Sequence, residues 1–211
     1  MNISPAKENI LKRIREALAH ETPMPFPQSE KNGNVFPAPQ QEIEIEFAEQ
    51  FTQLQGKFIY CINRQELAFQ FGSLAKKQDW AHVFCADEKL IQLLGEPLTE
   101  RLTRTDLAEC NVAVTGCEYL VARTGSIVLS SAQAQGRTAS VYAPIHVCIA
   151  FMHQLVYDIK DALQAARDKH GTSYPSLLTL ATGPSRTADI EKTLVVGVHG
   201  PKEVYLFLVE A

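Results

Sequence analysis

The chain has 211 residues, 45% of them hydrophobic, which suits one domain with a sizeable core plus an arm. Its 24 acidic and 20 basic residues leave a net charge of −4, and that mild acidity gives no electrostatic footprint for nucleic acid. No apolar run approaches the length of a membrane span, and Lys7, Glu8, Lys12 and Arg13 interrupt the stretch where a signal peptide would be apolar, so a cytoplasmic protein is expected.

The first element is a helix. Ser4-Pro5 supplies a capping hydroxyl and a proline at the first helical position, and Ile10, Leu11, Ile14, Ala17 and Leu18 follow at helical spacing. Pro23, Pro25, Pro27, Pro37 and Pro39 then exclude helix and central strand, so residues 21–40 read as an extended arm. Residues 1–41 are accordingly read as an N-terminal amphipathic helix and Pro-rich arm, and residues 42–211 as one α/β domain. The apolar face of that helix leaves a surface for a second copy, and a homodimer is expected.

A second helix is placed around 42–55, with Ile43, Phe47, Phe51 and Leu54 on one side. From there strands and helices alternate: strand 58–61, helix 66–77, strand 82–85, helix 87–94 and strand 112–114. Such alternation implies parallel pairing through crossover helices. Residues 126–130 and 140–143 flank Gln133-Ala134-Gln135-Gly136-Arg137 and read as a hairpin. Strand 147–150, helix 158–169 with His170-Gly171 as its stop, strand 177–181 and strand 204–209 complete the chain. The expected class is α/β: a mostly parallel sheet with helices on both faces and an antiparallel hairpin addition.

Cysteines stand at 61, 85, 110, 117 and 148, an odd set without a C-x-x-C, and they read as reduced, buried thiols. Cys117, in a Gly-containing turn, is the one whose setting decides whether it is activated. Iron–sulfur and zinc-ribbon spacings are absent, as are a Walker loop and a G-x-G-x-x-G. His146 and His153, seven apart, do not match a metal-ligand spacing. No metal and no cofactor are expected.

The densest chemistry lies near the end: Gly183-Pro184-Ser185-Arg186-Thr187-Ala188-Asp189-Ile190-Glu191, then Gly197-Val198-His199-Gly200-Pro201. Gly183 and Pro184 break the preceding strand, and Ser185 is positioned to cap a short helix. Such a turn aims backbone N–H groups at one point, which suits a phosphate or carboxylate, and Arg186 adds a charged fork.

These strings resemble the C-terminal signature of the LUD-domain family, and within it the lactate-utilization protein C group. Thr115-Gly116-Cys117-Glu118-Tyr119, Ala122-Arg123-Thr124-Gly125-Ser126 and Ala143-Pro144-Ile145-His146 fall upstream in that family's order, and the resemblance covers roughly residues 105–210. It implies the NagB/RpiA/CoA-transferase-like fold shared by sugar-phosphate isomerases, CoA-transferases and formyltetrahydrofolate cyclo-ligase. It also implies work in L-lactate oxidation to pyruvate beside iron–sulfur proteins that carry the electrons. Many relatives read A-E-T-G where this chain has Ala122-Arg123-Thr124-Gly125. Arginine cannot form an acyl anhydride, so covalent CoA transfer at that position is excluded, while an anion is attracted.

Four turns are expected to meet beyond the carboxyl ends of parallel strands: 115–118, 123–126, 183–191 and 197–201. Ligand-binding candidates are Arg123, Thr124, Gly125, Ser126, Arg137, Gly183, Ser185, Arg186, Thr187 and Gly200, for a small organic acid or a phosphorylated ligand. Candidate acid–base residues are His199, Asp189 and Glu118. Each has a plainer alternative. Ser185 serves as a cap alone, Asp189 and Glu191 complement a helix dipole, and Gly125 supplies a positive φ. His146 sits in the core, Arg137 is solvated and Glu118 is a surface charge. Two functions stay open: a component of a lactate-utilization system binding an organic acid or phosphorylated cofactor at an anion pocket, or an independent enzyme of CoA-transferase or cyclo-ligase type using Glu118, His199 and Asp189.

Overall fold

The runs of buried aliphatic residues in 145–151 and 203–209 form the centre of a parallel sheet, as strands covered on both faces must. They are seen in a computed structural model that describes residues 5–19, 36, 38–39, 41–102, 107–190 and 193–210, with the backbone alone for 188–190 and 193–194. The chain divides into two units, Met1–Ala38 and Pro39–Ala211.

In the first unit α1 spans Pro5–Leu18 and buries none of its residues. Ile10, Ile14 and Leu18 are exposed on it. Most of the Pro-rich arm lies outside the described residues.

The second unit runs α2 (Ile43–Gln53), β1 (Lys57–Cys61), α3 (Arg64–Lys77), β2 (Val83–Cys85), α4 (Glu88–Leu94), α5 (Glu96–Thr99), β3 (Val112–Thr115), β4 (Tyr119–Val121), β5 (Ser126–Ser130), α6 (Ala139–Tyr142), β6 (Ile145–Phe151), β7 (Leu155–Val156), α7 (Ile159–His170), β8 (Leu178–Ala181), β9 (Arg186–Ile190), β10 (Thr193–Val196) and β11 (Glu203–Val209). A five-stranded sheet has the order β1-β11-β6-β3-β2, all parallel. A second sheet, β7-β4-β5-β8, pairs β5 antiparallel to both β4 and β8. β9 and β10 form an antiparallel pair of their own.

Helices α3 to α5 cover one face of the parallel sheet. Leu67, Phe71 and Ala75 of α3 pack there with Trp80, Val112 and Phe207. On the other face, Phe47 and Phe51 of α2 pack with Leu120 and Ile127 of the second sheet against Cys148, Leu206 and Leu208. Ala162 of α7 packs with Val121 and Val128, so α7 covers the outer side of the second sheet. This is a mixed α/β fold with a mostly parallel central sheet.

The local pattern places most elements where the sequence puts them. Asn63 caps α3 by accepting from Glu66 N, and Asp158 caps α7 in a reciprocal box with Asp161. Gly171 ends α7 at φ +51°.

Two expectations are corrected. Residues 126–130 and 140–143 are not a hairpin. Residues 139–142 make a single helical turn, whose Ala139 packs with Ala143, Ala113 and Cys110 in a small-residue contact. β5 takes its partners from β4 and β8 instead. Ser185 caps no helix. The residues after it are strand β9, paired with β10, and Ser185 N donates to Pro201 O at 2.9 Å.

Gly125 sits at φ +59°, and a Cβ there would lie 2.6 Å from Phe51 N and 2.8 Å from Gln50 C. Gly136 has a similar φ of +62° but open space around it. Gly136→Ala is therefore expected to cost about 1 kcal/mol, roughly 2–4 °C in thermal midpoint. Gly125→Ala adds a backbone clash and should cost at least about 3 kcal/mol, roughly 6–12 °C. Equal losses in a thermal melt would mean that α2 is not held against that turn.

Candidate functional site

The chain leaves β8 through Thr182, Gly183 and Pro184, turns back through the β9–β10 pair, and enters β11 through residues 197–202. Two backbone bonds lock these turns together: Ser185 N to Pro201 O, and Gly197 N to Ser185 O, both 2.9 Å. Gly200 lies so close that a Cβ on it would sit 2.9 Å from Ser185 Cβ. Glycine is required there by the approach of two turns.

Beneath them is a cavity of about 150 Å³ lined by Gly183, Ser185, His199, Gly200, Ser140, Thr179 and His146 among others. His199 and Gly200 also border a shallower, 390 Å³ hollow with Tyr142, Val198 and Lys202. His146 is buried, and its Nε2 lies 2.8 Å from Thr115 Oγ1. Burial pushes its pKa down to about 4, so the ring is neutral near pH 7. His199 is exposed at the rim. Its walls carry three hydroxyls, from Ser140, Thr179 and Ser185, one buried neutral imidazole and one accessible imidazole, set among the apolar Val141, Ala181, Pro201 and Val204. That set can hold a small polar anion by hydrogen bonds and offers a proton carrier beside it.

The turn 123–126 adjoins this site. Ser126 Oγ lies 2.8 Å from Thr182 Oγ1 and 2.8 Å from Thr124 Oγ1, a chain of hydroxyls between the two turns. Gly183, at φ +80°, would bring a Cβ within 2.7 Å of Leu54 O, so α2 lies against it as it does against Gly125.

Other candidates are engaged elsewhere. Arg186 Nη2 donates to Leu54 O at 2.7 Å and ties the β9 end to α2. Arg123 Nε donates to Asp158 Oδ2 at 2.7 Å. That hydrogen bond holds the Asp158 carboxyl below its usual range, against the effect of burial. Arg137 donates to Ser176 Oγ. Thr187 lies in β9 opposite Val195. Asp189 is in the backbone of β9, and its side chain lies outside the described residues.

Glu118 is 3% exposed and stands at the other end of the second sheet, where β4 begins and β5 ends. Lys169 Nζ reaches its Oε2 at 2.6 Å, and Ser130 Oγ its Oε1 at 2.5 Å. His170 Nε2 lies 3.3 Å from Oε1. Burial pushes the pKa of Glu118 up, but the bonds from Lys169 and Ser130 and the charge of Lys169 outweigh it and hold the carboxyl below the usual range. This ion pair, with its carboxylate buried and its lysine half exposed, fastens the last turn of α7. Cys117 is likewise buried, and its contact with Cys148 and its desolvation push the thiol well up, so it is not activated.

The four turns therefore do not meet at one carboxyl edge. The turn 115–118 follows the carboxyl end of β3. The turns around Gly183 and Gly197 lie at the amino ends of β6 and β11, where His146 and Val204 are second in their strands. The reason is topological: β8 joins the second sheet antiparallel to β5, and the β9–β10 pair returns the chain to the start of β11. Sequence reasoning did not place Ser140, Thr179 or Lys202 near the site. Pro144 ahead of His146 was the one signal for that side of the cavity. Among the described residues, no group of three His, Cys, Asp or Glu is arranged to hold a metal ion, and no helix is long and apolar enough to cross a membrane.

A sequence model of the LUD domain matches residues 44–209. A lactate utilization protein C from Anoxybacillus flavithermus is 37% identical over 101 residues, 47% of this chain and 44% of that protein. The protein of the same name from Bacillus subtilis is 36% identical over 103 residues, 48% of this chain and 43% of its own length. The matched region thus spans less than half of these curated relatives. A crystal structure of a DUF162 family protein from Deinococcus radiodurans has the same fold, with a TM-score of 0.56 at 20% identity over 82% of this chain and 99% of that one.

The buried His146 makes stability depend on pH. Its folded pKa, about 4, lies below the ordinary 6.5, so the unfolded chain takes up a proton that the folded one refuses. Stability contributed by the neutral ring is full above pH 6.5 and falls with pH below it, by about 1.4 kcal/mol per pH unit. Glu118, Asp158 and Glu203, all with lowered pKa values, lose their contributions only as pH falls further, through their folded values. Between pH 6.5 and 5, the wild type should lose about 2 kcal/mol more than His146→Gln in denaturant melts. Parallel losses in the two proteins would refute a buried neutral His146.

Proposed function

We propose that this chain, which belongs to the LUD-domain family, works in lactate utilization and binds a small hydroxy- or keto-acid in the cavity under His199. The observation that carries the reading is the convergence of the Gly183–Ser185 and Gly197–Gly200 turns over one small cavity whose walls include three hydroxyls and two imidazoles. The names of the curated relatives supply the pathway. The cavity supports the ligand class, with hydroxyls to accommodate a carboxylate, neutral His146 below and the His199 imidazole at the rim. The volume suits an acid of a few carbons.

The chain has no iron–sulfur spacing and no nucleotide fingerprint of its own, so electrons leaving lactate would pass to iron–sulfur partner proteins. A cytoplasmic homodimer completes the reading. The independent-enzyme alternative gains nothing from Glu118, which Lys169 neutralises at the far end of the second sheet from His199.

The test is a titration of L-lactate and pyruvate followed by protein NMR. Resonances of Ser185, His199 and Gly200 should shift, and Ser185→Ala should raise Kd by about tenfold through loss of a hydrogen bond to a charged group. The thermal midpoint should stay unchanged, since Ser185 caps no helix. Shifts confined to other residues, or none at tens of millimolar acid, would sink the reading.

A further inference from the structure

A hollow of about 680 Å³ opens beside Phe151, the last residue of β6, but every polar side chain that borders it is exposed. The small cavity under His199 is different, because one of its walls is a buried polar ring.

His146 is 1% exposed and is the second residue of β6. Its register partner on β3 is Ala113, whose methyl leaves the ring room to reach along the sheet. Thr115, two residues on from Ala113 and on the same face, meets it: Thr115 Oγ1 lies 2.8 Å from His146 Nε2. Thr115 is fully buried. Among the described residues its hydroxyl has no other partner, and neither has the ring.

These partners assign the proton. A hydroxyl has one hydrogen to donate, and a buried donor left without an acceptor is costly. If Nε2 carried the ring hydrogen, it would donate to Oγ1, and the Thr115 hydrogen would have no acceptor. If Thr115 donates to Nε2, both groups are satisfied. A neutral imidazole then carries its one hydrogen on Nδ1. The ring is neutral because burial pushes its pKa down to about 4. Nδ1 has no protein partner among the described residues, but it is not sealed off as Trp80 Nε1 and Gln135 Oε1 are. The space beside the ring is the 150 Å³ cavity.

We propose that His146 reads the ligand in this cavity: its Nδ1–H donates to an acceptor oxygen of the bound acid, and Thr115 is the positioning residue that fixes this tautomer. The inference rests on the acid site proposed above and names the ligand group that the site reads. A 2-keto acid suits it best, since a keto oxygen only accepts. A 2-hydroxy acid also offers an acceptor. A 2-amino acid presents an ammonium to a donor, and an unsubstituted acid presents nothing, so both leave Nδ1–H unpaired.

Long-range proton–nitrogen NMR of the histidine-labelled full chain tests the tautomer without ligand, with the His146 signals identified by their loss in His146→Gln. Nδ1 should carry the hydrogen and Nε2 none. Thr115→Val removes the hydroxyl, and that preference should be lost. Titrations test the contact. Pyruvate should bind at least about tenfold more tightly than propionate, which lacks only the keto oxygen. Thr115→Val and His146→Leu should each bring that ratio to within about threefold, while His146→Asn, whose amide nitrogen can take the place of Nδ1, should keep more of it. A Thr115 that only packed would move neither the tautomer nor the ratio. Hydrogen on Nε2 in the wild type overturns the proposal whether or not acid binds. So does a ratio that is the same in wild type, Thr115→Val and His146→Leu. Failure of the acid site itself reads differently: neither acid would bind although the tautomer is as stated, and the ligand contact would fall with it.

Discussion

The candidate acid site depends on the seat of α2. Phe47 and Phe51 are fully buried, their rings stacked 5.5 Å apart, and they fix the helix between the two sheets. From that seat α2 presses its backbone onto Gly125, and Leu54 just past its end onto Gly183. No side chain would fit at either point. The same Leu54 carbonyl accepts from Arg186. One helix thus sets the turn after β4, the turn after β8 and the start of β9 relative to one another, while the Ser126–Thr182 hydroxyl bond joins them directly. Hydrophobic packing some residues away determines where Ser185 stands.

Most charges near the second sheet are engaged in holding it together. Glu118 with Lys169 fastens the end of α7, and Arg123 with Asp158 fastens its beginning. Loss of Lys169 would leave the buried Glu118 carboxylate without its charge partner, a costly state, so the pair anchors the end of α7. On the parallel sheet, Lys57 bridges Glu203 and the Tyr205 hydroxyl between adjacent strands.

Local signals were legible in the sequence. The strand–helix alternation, the stop signal at His170-Gly171, and continuous apolar runs at 147–150 and 204–209 placed helices and strands within a residue or two. Partners of strands were less so. β5 is apolar on both faces and carries no mark saying whether it pairs with the residues after it or with β4 and β8. The stretch 185–191 misled because Ser followed later by Asp and Glu reads as a helix start. Thr187, Val195 and Val196 favour strand, and the bond from Ser185 N to Pro201 O decided it. The glycines of the site were visible as residues, but the reason for Gly125 and Gly183 was not, since the helix against them comes from seventy or more residues upstream.

The two cavities sit at opposite ends of β6. His146 and Phe151 are five residues apart, about 17 Å along an extended strand. The strand between them, and β11 beside it, are buried and close-packed, so the separation is rigid. Each cavity is then shaped by what its own end supplies. At the amino end the walls are turns whose glycines let backbones touch, which makes a small space. At the carboxyl end the walls are first turns of helices spread by the width of the sheet, which makes a larger and more basic one. An acid of a few carbons fits the first chemistry.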